Sequence, residues 1–261
     1  APRVHIACGQ LDETQKAWWK KLYFHGLGEY FHINHIPLDP QGFMEIISEG
    51  RPQTGTDWFP EVKGNLIPVG GGKDSFVTLD VLSPYKKDNL AFIINPVISA
   101  VNSAHAAGYE EGKDLLIAQR TLDPLMLELN RQGYLNGHTP FSAMVAFATY
   151  LTAFVHGRKY ITLSNESSAN ESTIKGSTVN HQYSKTFEFE QDFHTYSHAY
   201  LRDDIMYFSL LRPISELQIT GLFSRMKDYH PVFRSCNVGS KKGVWCGHCA
   251  KCLFVCIMLS A

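Results

Sequence analysis

The distribution of apolar and polar residues changes near residue 65, and from there short apolar runs alternate with longer segments. Four of these runs predict β-strands, at residues 66–69, 90–94, 114–119 and 160–163. The segments between them predict helices, at residues 75–82, 98–107 and 140–156. Because the strands are apolar throughout, the alternation predicts an α/β fold with an open, doubly wound, mostly parallel sheet.

The first sixty residues follow a different pattern. They are rich in aromatic residues and histidine, which predicts a helical lead-in followed by loops. Prolines at both ends of the segment 52–60 predict a boundary. We therefore expect an N-terminal extension at residues 1–62 and a larger domain at residues 63–261. The chain begins with Ala1 and ends within an apolar segment, so we expect it to be part of a longer polypeptide.

Charge and hydropathy narrow the range of partners. The 261 residues include 25 acidic and 24 basic side chains, without a long run of like charge. A general nucleic-acid-binding surface is therefore not indicated. No apolar stretch approaches the ~20 residues of a membrane span, and the start of the chain lacks a signal-peptide pattern. We expect a cytoplasmic protein without nucleic-acid or membrane partners.

Five of the six cysteines lie between residues 236 and 256, whereas a disulfide framework would spread them along the chain. Four of them have the spacing C-x9-C-x2-C-x2-C, which predicts a closed and therefore structural zinc site: Cys236, Cys246, Cys249 and Cys252. An iron–sulfur cluster uses the same ligands, and a group of free cysteines is the third alternative. We expect Cys256 to lie in the core one helical turn beyond Cys252, and His248 to be exposed.

The segment Gly70–Ser75 (GGGKDS) has the sequence of a phosphate-binding loop between a strand and a helix. Glycines let the backbone approach an anion, and the start of the next helix offers unpaired N–H groups. Ser75 can donate a hydrogen bond, Lys73 can screen charge, and Asp74 can hold Mg²⁺. The Walker pattern fails because Asp74 follows the lysine, and a dinucleotide fingerprint would need a third glycine at its own spacing. A glycine turn without a ligand is the alternative.

Polar residues follow several of the predicted strands, where a doubly wound sheet presents its ligand. Asn95 follows the second strand, and the segment 164–171 (SNESSANE) follows the fourth. A helix start at residues 136–140 can also face an anion. Further along, the segment 180–190 combines donors, acceptors and possible bases, His181 and Lys185 among them.

The loop resembles the S-G-G-x-D-S loop of the ATP pyrophosphatase (PP-loop) superfamily, except that Gly70 stands where that pattern has serine. The resemblance implies an adenine nucleotide α-hydrolase-like fold and cleavage of ATP between its α and β phosphates. Deazaguanine nitrile synthases of this superfamily carry a comparable C-terminal cysteine set. A nucleobase- or tRNA-modifying enzyme, such as a nitrile synthase or thiolase, is therefore the alternative function. A nucleotide-binding regulatory module without turnover is a third possibility.

Five segments together resemble a narrower family, the UDP-N-acetylmuramoyl-L-alanyl-L-glutamate epimerases. They are residues 64–75 (GNLIPVGGGKDS), 135–143 (LNGHTPFSA), 163–171 (LSNESSANE), 179–193 and 246–252. The resemblance implies a bacterial enzyme of peptidoglycan precursor synthesis whose substrate is a nucleotide-linked muramoyl dipeptide. Such an enzyme inverts the terminal L-glutamate to D-glutamate and converts ATP to AMP and pyrophosphate.

The sequence pattern and the resemblance imply roles for individual residues. We expect ATP to be bound by Gly70, Gly71, Gly72, Lys73, Asp74, Ser75 and Asn95. We expect the substrate to contact His138, Asn165, Glu166 and Glu171. The expected catalytic residues are Lys73, Asp74, His181 and Lys185. The alternative for His181 and Lys185 is that they bind phosphates. The expected cofactors are ATP, Mg²⁺ and a structural Zn²⁺.

Overall fold

The structure is a computed structural model that describes residues 3–37, 39–40, 42–52, 60–172 and 179–260. Within these ranges the strands are β1 (Arg3–Ile6), β2 (Glu45–Ser48), β3 (Asn65–Pro68), β4 (Asn89–Ile94), β5 (Leu115–Ala118), β6 (Tyr160–Leu163) and β7 (Met206–Ser209). The α-helices are α1 (Glu13–Gly26), α2 (Gly28–Ile33), α3 (Lys73–Val81), α4 (Ile98–Ala106), α5 (Pro124–Arg131), α6 (Phe141–Val155), α7 (Phe187–Tyr200), α8 (Glu216–Phe223) and α9 (Ala250–Ser260). Short 3-10 helices lie at Ser83–Asp88, Ser167–Asn170, Tyr183–Lys185, Lys227–Tyr229 and Ser240–Lys242.

Strands β3 to β7 form a five-stranded sheet in the order β5-β4-β3-β6-β7, and all four neighbouring pairs are parallel. The strand order reverses between β3 and β6, which is the doubly wound arrangement. The prediction of an α/β fold with a parallel sheet is therefore confirmed. The four strands and three helices predicted from residue 66 onward are all present. Within the described part of the chain, no helix is long and apolar enough to cross a membrane.

Contacts divide the chain into two compact units. The first contains residues 1–61, 122–146 and 169–203, and the second contains residues 62–121, 147–168 and 204–261. Most of the boundary predicted at 52–60 falls on residues 53–59, which lie outside the described residues. The division into 1–62 and 63–261 therefore stays a prediction.

The first unit is built on the aromatic segment that the sequence marks as a helical lead-in. Asp12 and Gln15 form a capping box that begins α1. Trp18 of this helix lies 4.5 Å from the ring of Tyr196 in α7, and its indole nitrogen donates to the backbone oxygen of Asp192. The unit also contains a parallel pair of strands, β1 and β2, although the sequence predicted only a helical lead-in and loops in the first sixty residues. That prediction was wrong because the two strands are only four residues long and carry mixed polarity.

The core of the second unit lies around β3 and β4 and the helices that follow them. One group of buried side chains joins these strands to α3 and α4: Ile67, Val69, Leu79, Leu82, Ala91, Ile93, Ala100, Ala104, Tyr109 and Leu115. A second group joins α3 to α8 and the C-terminal segment: Phe76, Val77, Leu211, Ile219, Phe223, Phe233 and Val255. Helix α3 contributes to both groups, so its N-terminus and the glycine loop before it are held from two sides.

Candidate functional site

A glycine loop follows the carboxyl end of β3, beside the point where the strand order reverses. Gly71 adopts a left-handed conformation with φ of +83°. A Cβ atom at this position would lie 2.6 Å from the backbone nitrogen of Ala100, so no larger residue fits without moving the backbone of α4. The tight packing fixes the path of the loop at the edge of the sheet where doubly wound folds bind their ligands.

The loop leads into the N-terminus of α3, with Gly72 as its extended N-cap. The N–H groups of Lys73 and Asp74 therefore point out of the helix end, while that of Ser75 donates to the backbone oxygen of Gly72 at 3.1 Å. The N–H of Gly70 donates to Oγ of Ser75 at 3.0 Å, which ties the start of the loop to the helix. A Cβ atom at Gly70 would lie 3.7 Å from this oxygen, so the serine of the related pattern could be accommodated. A strand, a glycine turn and a helix N-terminus thus follow one another, which is the order found in phosphate-binding loops.

Three side chains form an ion-pair cluster at the start of α3. Nζ of Lys73 lies 2.5 Å from Oδ1 of Asp74 and 2.6 Å from Oε1 of Glu216. Only 3% of the Lys73 side chain is exposed, against 31% of Asp74. Glu216 was not among the residues identified from the sequence, because it comes 143 positions after Lys73 and only the packing of α8 on α3 brings it there.

The charges of this cluster act on one another. Burial opposes the charge on Lys73, but the neighbouring carboxylates of Asp74 and Glu216 outweigh it and raise the pKa of the lysine. Burial raises the pKa of Asp74, the ammonium of Lys73 opposes this, and the negative charges of Glu216 and Glu166 add to it. Lys73 is therefore charged at neutral pH, and the cluster has more carboxylates than cations.

The carboxyl ends of β6 and β7 place further polar groups in the second unit. The side-chain amide of Asn165 donates to Oγ of Ser209 at 3.1 Å. Arg212 donates to the backbone oxygen of Glu166 at 2.8 Å, while the carboxylate of Glu166 accepts from Ser168 at 3.0 Å. Asn165 and Glu166 are thus held in fixed conformations within the same unit as the glycine loop. Ser209 and Arg212 were not identified from the sequence because the short strand before them was not predicted.

Asn95 lies at the end of β4 with a left-handed φ of +53°. Its side-chain oxygen accepts a hydrogen bond of 2.6 Å from the backbone N–H of Arg120. Asn95 therefore shapes the loops that follow β4 and β5. Its role in binding ATP stays a prediction.

The remaining residues predicted for substrate binding and catalysis belong to the first unit. The rings of His138 and His181 are 5.8 Å apart and meet edge to face. Partial burial lowers the pKa of His138, Glu29 opposes this, and the positive charges of His181 and Lys185 lower it further. Lys185 ends the 3-10 helix Tyr183–Lys185. Three of the predicted residues thus form one cluster, while Glu171 is exposed.

The four predicted cysteines of the C-terminal segment converge in the second unit. The sulfur atoms of Cys236, Cys246, Cys249 and Cys252 all lie within 4.8 Å of one another, and the shortest separation is 3.5 Å, between Cys249 and Cys252. A tetrahedron with metal–sulfur bonds of about 2.3 Å has edges of about 3.8 Å, so the group can hold one metal ion. In a cluster of several irons, thiolates bound to different metal atoms would be spread further apart, so a single ion fits these separations better.

The surroundings lower the pKa of Cys236 and Cys249, whereas burial raises the pKa of Cys252 to about 11. The backbone N–H of Gly239 donates to Sγ of Cys236 at 3.0 Å. A backbone hydrogen bond from Cys252 is the main cause that lowers the pKa of Cys249 to about 6. His248 is exposed, as predicted. Cys256 is also exposed, so the prediction that it lies in the core was wrong, because it projects from a face of α9 whose neighbours Leu253 and Ile257 are exposed too.

Together these features define a class of protein: an α/β protein with a parallel five-stranded sheet, a glycine loop suited to phosphate at the reversal of strand order, and a four-cysteine cluster that can hold a metal. The sequence model of the MurL N-terminal domain matches residues 1–210. The chain belongs to the MurL N-terminal domain family. The resemblance seen in the sequence segments is thereby confirmed, and the cysteine cluster lies beyond the matched residues.

Three curated relatives have the name UDP-N-acetyl-alpha-D-muramoyl-L-alanyl-L-glutamate epimerase. The protein from Salinispora tropica is 38% identical and aligns with 100% of this chain and 57% of its own length. The relative from Xanthomonas oryzae pv. oryzae is 33% identical over 99% of this chain and 58% of its own. The relative from a Micromonospora species is 36% identical over 98% of this chain and 57% of its own length. The chain therefore spans little more than half the length of these relatives.

Among solved structures, a subunit of a tRNA methyltransferase from Methanocaldococcus jannaschii matches with a TM-score of 0.37 and 15% sequence identity. The match covers 63% of this chain and 76% of the other. A likeness of this degree supports no functional argument.

Proposed function

We propose that this protein is an ATP-dependent epimerase of the PP-loop type. It inverts the terminal L-glutamate of UDP-N-acetylmuramoyl-L-alanyl-L-glutamate to D-glutamate, and it forms AMP and pyrophosphate in the process. The observation that carries the ATP part is the loop Gly70–Ser75, which joins a central parallel strand to a helix N-terminus beside the reversal of strand order. The names of the three relatives support the substrate and the inversion.

The reaction begins with activation of the glutamate α-carboxylate. A carboxylate resists loss of the neighbouring proton, because the resulting carbanion would lie beside an existing negative charge. Attack of the carboxylate on the α-phosphorus of ATP forms a mixed anhydride and expels pyrophosphate. In the anhydride the acyl group has lost the negative charge of the carboxylate oxygens, so the α-proton is far more acidic. Removal of this proton from one face and delivery to the other inverts the centre, and hydrolysis of the anhydride then releases AMP and the product.

The glycine loop and the first turn of α3 would bind the phosphates through backbone N–H groups, which need no rearrangement when negative charge moves to the pyrophosphate. Asp74 is suited to hold Mg²⁺, because its carboxylate is partly exposed. Glu216, which contacts the same lysine, adds a second negative charge. When bound, Mg²⁺ neutralises charge on the phosphates. Asn165 and Glu166, which follow the carboxyl end of the neighbouring strand β6, would contact the substrate.

His181 and Lys185 are our candidates for moving the α-proton. An imidazole can both accept and deliver a proton, and so can the amine of a lysine. His138 is the third member of this cluster, and its lowered pKa keeps it neutral near pH 7. The competing role for His181 and Lys185 is to bind the diphosphate of the substrate.

The four cysteines would hold one zinc ion, since four thiolates at these separations match a closed tetrahedral site. A closed site leaves no position for substrate, so zinc would stabilise the C-terminal segment and take no part in catalysis. Free cysteines also fit the reducing cytoplasm, where nucleotide-linked wall precursors would be handled.

The proposal is tested by incubating the protein with ATP, Mg²⁺ and the nucleotide-linked L,L-dipeptide, and measuring AMP by mass spectrometry. We expect AMP and pyrophosphate in equal amounts, and little of either when the precursor is left out. The free dipeptide L-alanyl-L-glutamate serves as the matched control, because it has the reacting centre without the sugar nucleotide. The proposal would be overturned if AMP formed at the same rate with and without the precursor, or if no AMP formed at all.

A further inference from the structure

The ion pair beside the glycine loop has an unusual composition. Lys73 is the first residue of α3, yet its ammonium is buried and contacts both Asp74 and Glu216. The side chain of Asp74 is about ten times more exposed than that of Lys73. A ligand that enters from solvent can therefore reach the carboxylate of Asp74 more easily than the ammonium of Lys73.

Glu216 is held rigidly in this position. It is the first residue of α8, whose N-cap Ser215 forms a capping box with Gln218. Helix α8 packs on α3 in one apolar group, in which the rings of Phe76 and Phe223 lie 6.0 Å apart. Because two packed helices carry the partners of the ion pair, the distance between Lys73 and Glu216 is set by the core of the unit.

The second oxygen of Glu216, Oε2, is buried and has no hydrogen-bond partner among the described residues. A buried carboxylate oxygen without a hydrogen-bond partner is costly, so the placement of Glu216 needs an explanation. The charges around it supply one. The single positive charge of Lys73 is shared by two carboxylates. The group as a whole therefore keeps a net negative charge when both are ionised, and such a group favours a divalent cation.

We propose that Glu216 is a positioning residue for the metal–nucleotide complex. It holds the Lys73 ammonium on the inner side of Asp74, and it shares the charge of that lysine. The Asp74 carboxylate is thereby left exposed and incompletely neutralised, ready to hold the divalent cation that accompanies ATP. In this arrangement Lys73 acts as the internal counterion of Asp74, and the backbone N–H groups of the loop bind the phosphates. This inference rests on the proposed function, since it assumes that the loop binds a metal–nucleotide complex.

The test compares Glu216→Gln with the wild-type protein. Glutamine keeps the size of the side chain and an oxygen that can accept from Lys73, but it removes the negative charge. Binding of α,β-methylene-ATP, which cannot be cleaved at the reacting position, is measured by calorimetry with and without Mg²⁺. We expect Glu216→Gln to weaken binding about tenfold with Mg²⁺, as for other residues that orient a metal ligand, and to leave metal-free binding unchanged. Asp80→Asn is the matched control, because it removes an exposed charge from the same helix.

Each other outcome has a distinct meaning. Equal weakening with and without Mg²⁺ would assign Glu216 a purely structural role and overturn the inference, as would unchanged binding in both conditions. Failure of the wild-type protein to bind the analogue would overturn the ATP part of the proposed function, and the inference with it. Should Glu216→Gln not fold, Glu216→Asp is read by the same two titrations: it keeps the charge but withdraws it from Lys73, so the inference again predicts weaker binding with Mg²⁺ and unchanged binding without it.

Discussion

Among single residues, Asp74 is the one on which the proposed adenylation depends most. It combines partial exposure, a position in the first turn of α3 and a buried cationic neighbour that holds its carboxylate in place. A carboxylate so close to a helix N-terminus is also favoured by the helix dipole. The same features suit it to a divalent cation, because one of its oxygens is held by Lys73 while the group stays open to solvent.

We expect Asp74→Asn to reduce AMP formation about 100-fold or more, since the variant loses the charge that would hold Mg²⁺ while its shape is kept. The rate of AMP release, measured by mass spectrometry, checks this, and circular dichroism establishes that the fold is intact. Asp80→Asn, at an exposed position of the same helix, should retain full activity. Undiminished AMP formation in Asp74→Asn would remove the loop from the reaction.

His181 and Lys185 of the first unit should act in proton transfer and not in activation of the carboxylate. We expect His181→Gln or Lys185→Met to keep forming AMP while losing exchange of the glutamate α-proton with D₂O, because activation and proton transfer are separate steps. Mass spectrometry of the recovered substrate and product measures the exchange. The exposed His105→Gln is the control. Loss of substrate binding and AMP formation together would assign that residue to binding.

Residue types could be read from the sequence, but partners could not. The spacing of the four cysteines was enough to predict that their sulfur atoms converge, because close spacing along the chain forces closeness in space. Glu216 could not be found in this way, since its contact with Lys73 depends on two helices far apart in sequence. In the same way, exposure separates the roles of Lys73 and Asp74, and adjacent positions in a sequence do not reveal exposure.

At the scale of elements, the turn between β3 and α3 determines whether a phosphate can be bound. Its backbone conformation depends on Gly71, where positive φ and close approach to α4 coincide. Strand β3 and helix α3 on either side are largely buried, so the turn cannot relax easily. The loop is therefore a rigid element, which suits binding through backbone donors.

We expect Gly71→Ala to lower the free energy of unfolding about 1–3 kcal/mol more than Gly112→Ala. Both glycines have positive φ, but a Cβ at Gly112 meets nothing within 4 Å, so that variant has only the backbone strain of about 1–2 kcal/mol. Urea unfolding of the two variants measures the difference. Equal destabilisation would mean that the loop has room to move away from α4.

The cysteine segment leads to a further prediction for an element. Elemental analysis should find about one zinc per chain, and Cys249→Ser should lose it together with at least ~3 kcal/mol of unfolding free energy. Cys256→Ser and Cys8→Ser are the controls, because both residues are exposed and lie outside the group. Fully folded and stable protein without metal would exclude a structural metal site, and iron in place of zinc would correct the identity of the metal.

Most of the strands that the sequence predicts are largely buried in the structure. Strands β3, β4 and β6 are largely buried and were read as apolar runs, and β6 begins and ends at the predicted residues. Strand β7 has alternating burial over only four residues and was not recognised. Helix α7 was not predicted, because the segment in which it begins is rich in polar residues. Its buried face carries Phe189, Phe193 and Tyr196.

At the scale of the whole molecule, the residues proposed for the two half-reactions belong to different compact units. The glycine loop, Asn165, Glu166 and Glu216 belong to the second unit, and His138, His181 and Lys185 to the first. Mutations in the two groups should therefore separate activation from inversion. Segments from three parts of the sequence build each unit.

The configuration of the product glutamate, determined with and without ATP, tests the central proposal most directly. The protein is incubated with the nucleotide-linked L,L-dipeptide and Mg²⁺ in D₂O, and the glutamate is released and resolved by chiral chromatography. We predict D-glutamate only when ATP is present, with at least one AMP formed for each inverted centre and with deuterium at the α-carbon. Inversion that proceeds without ATP, or AMP formation that leaves every glutamate in the L configuration, would contradict the proposed function.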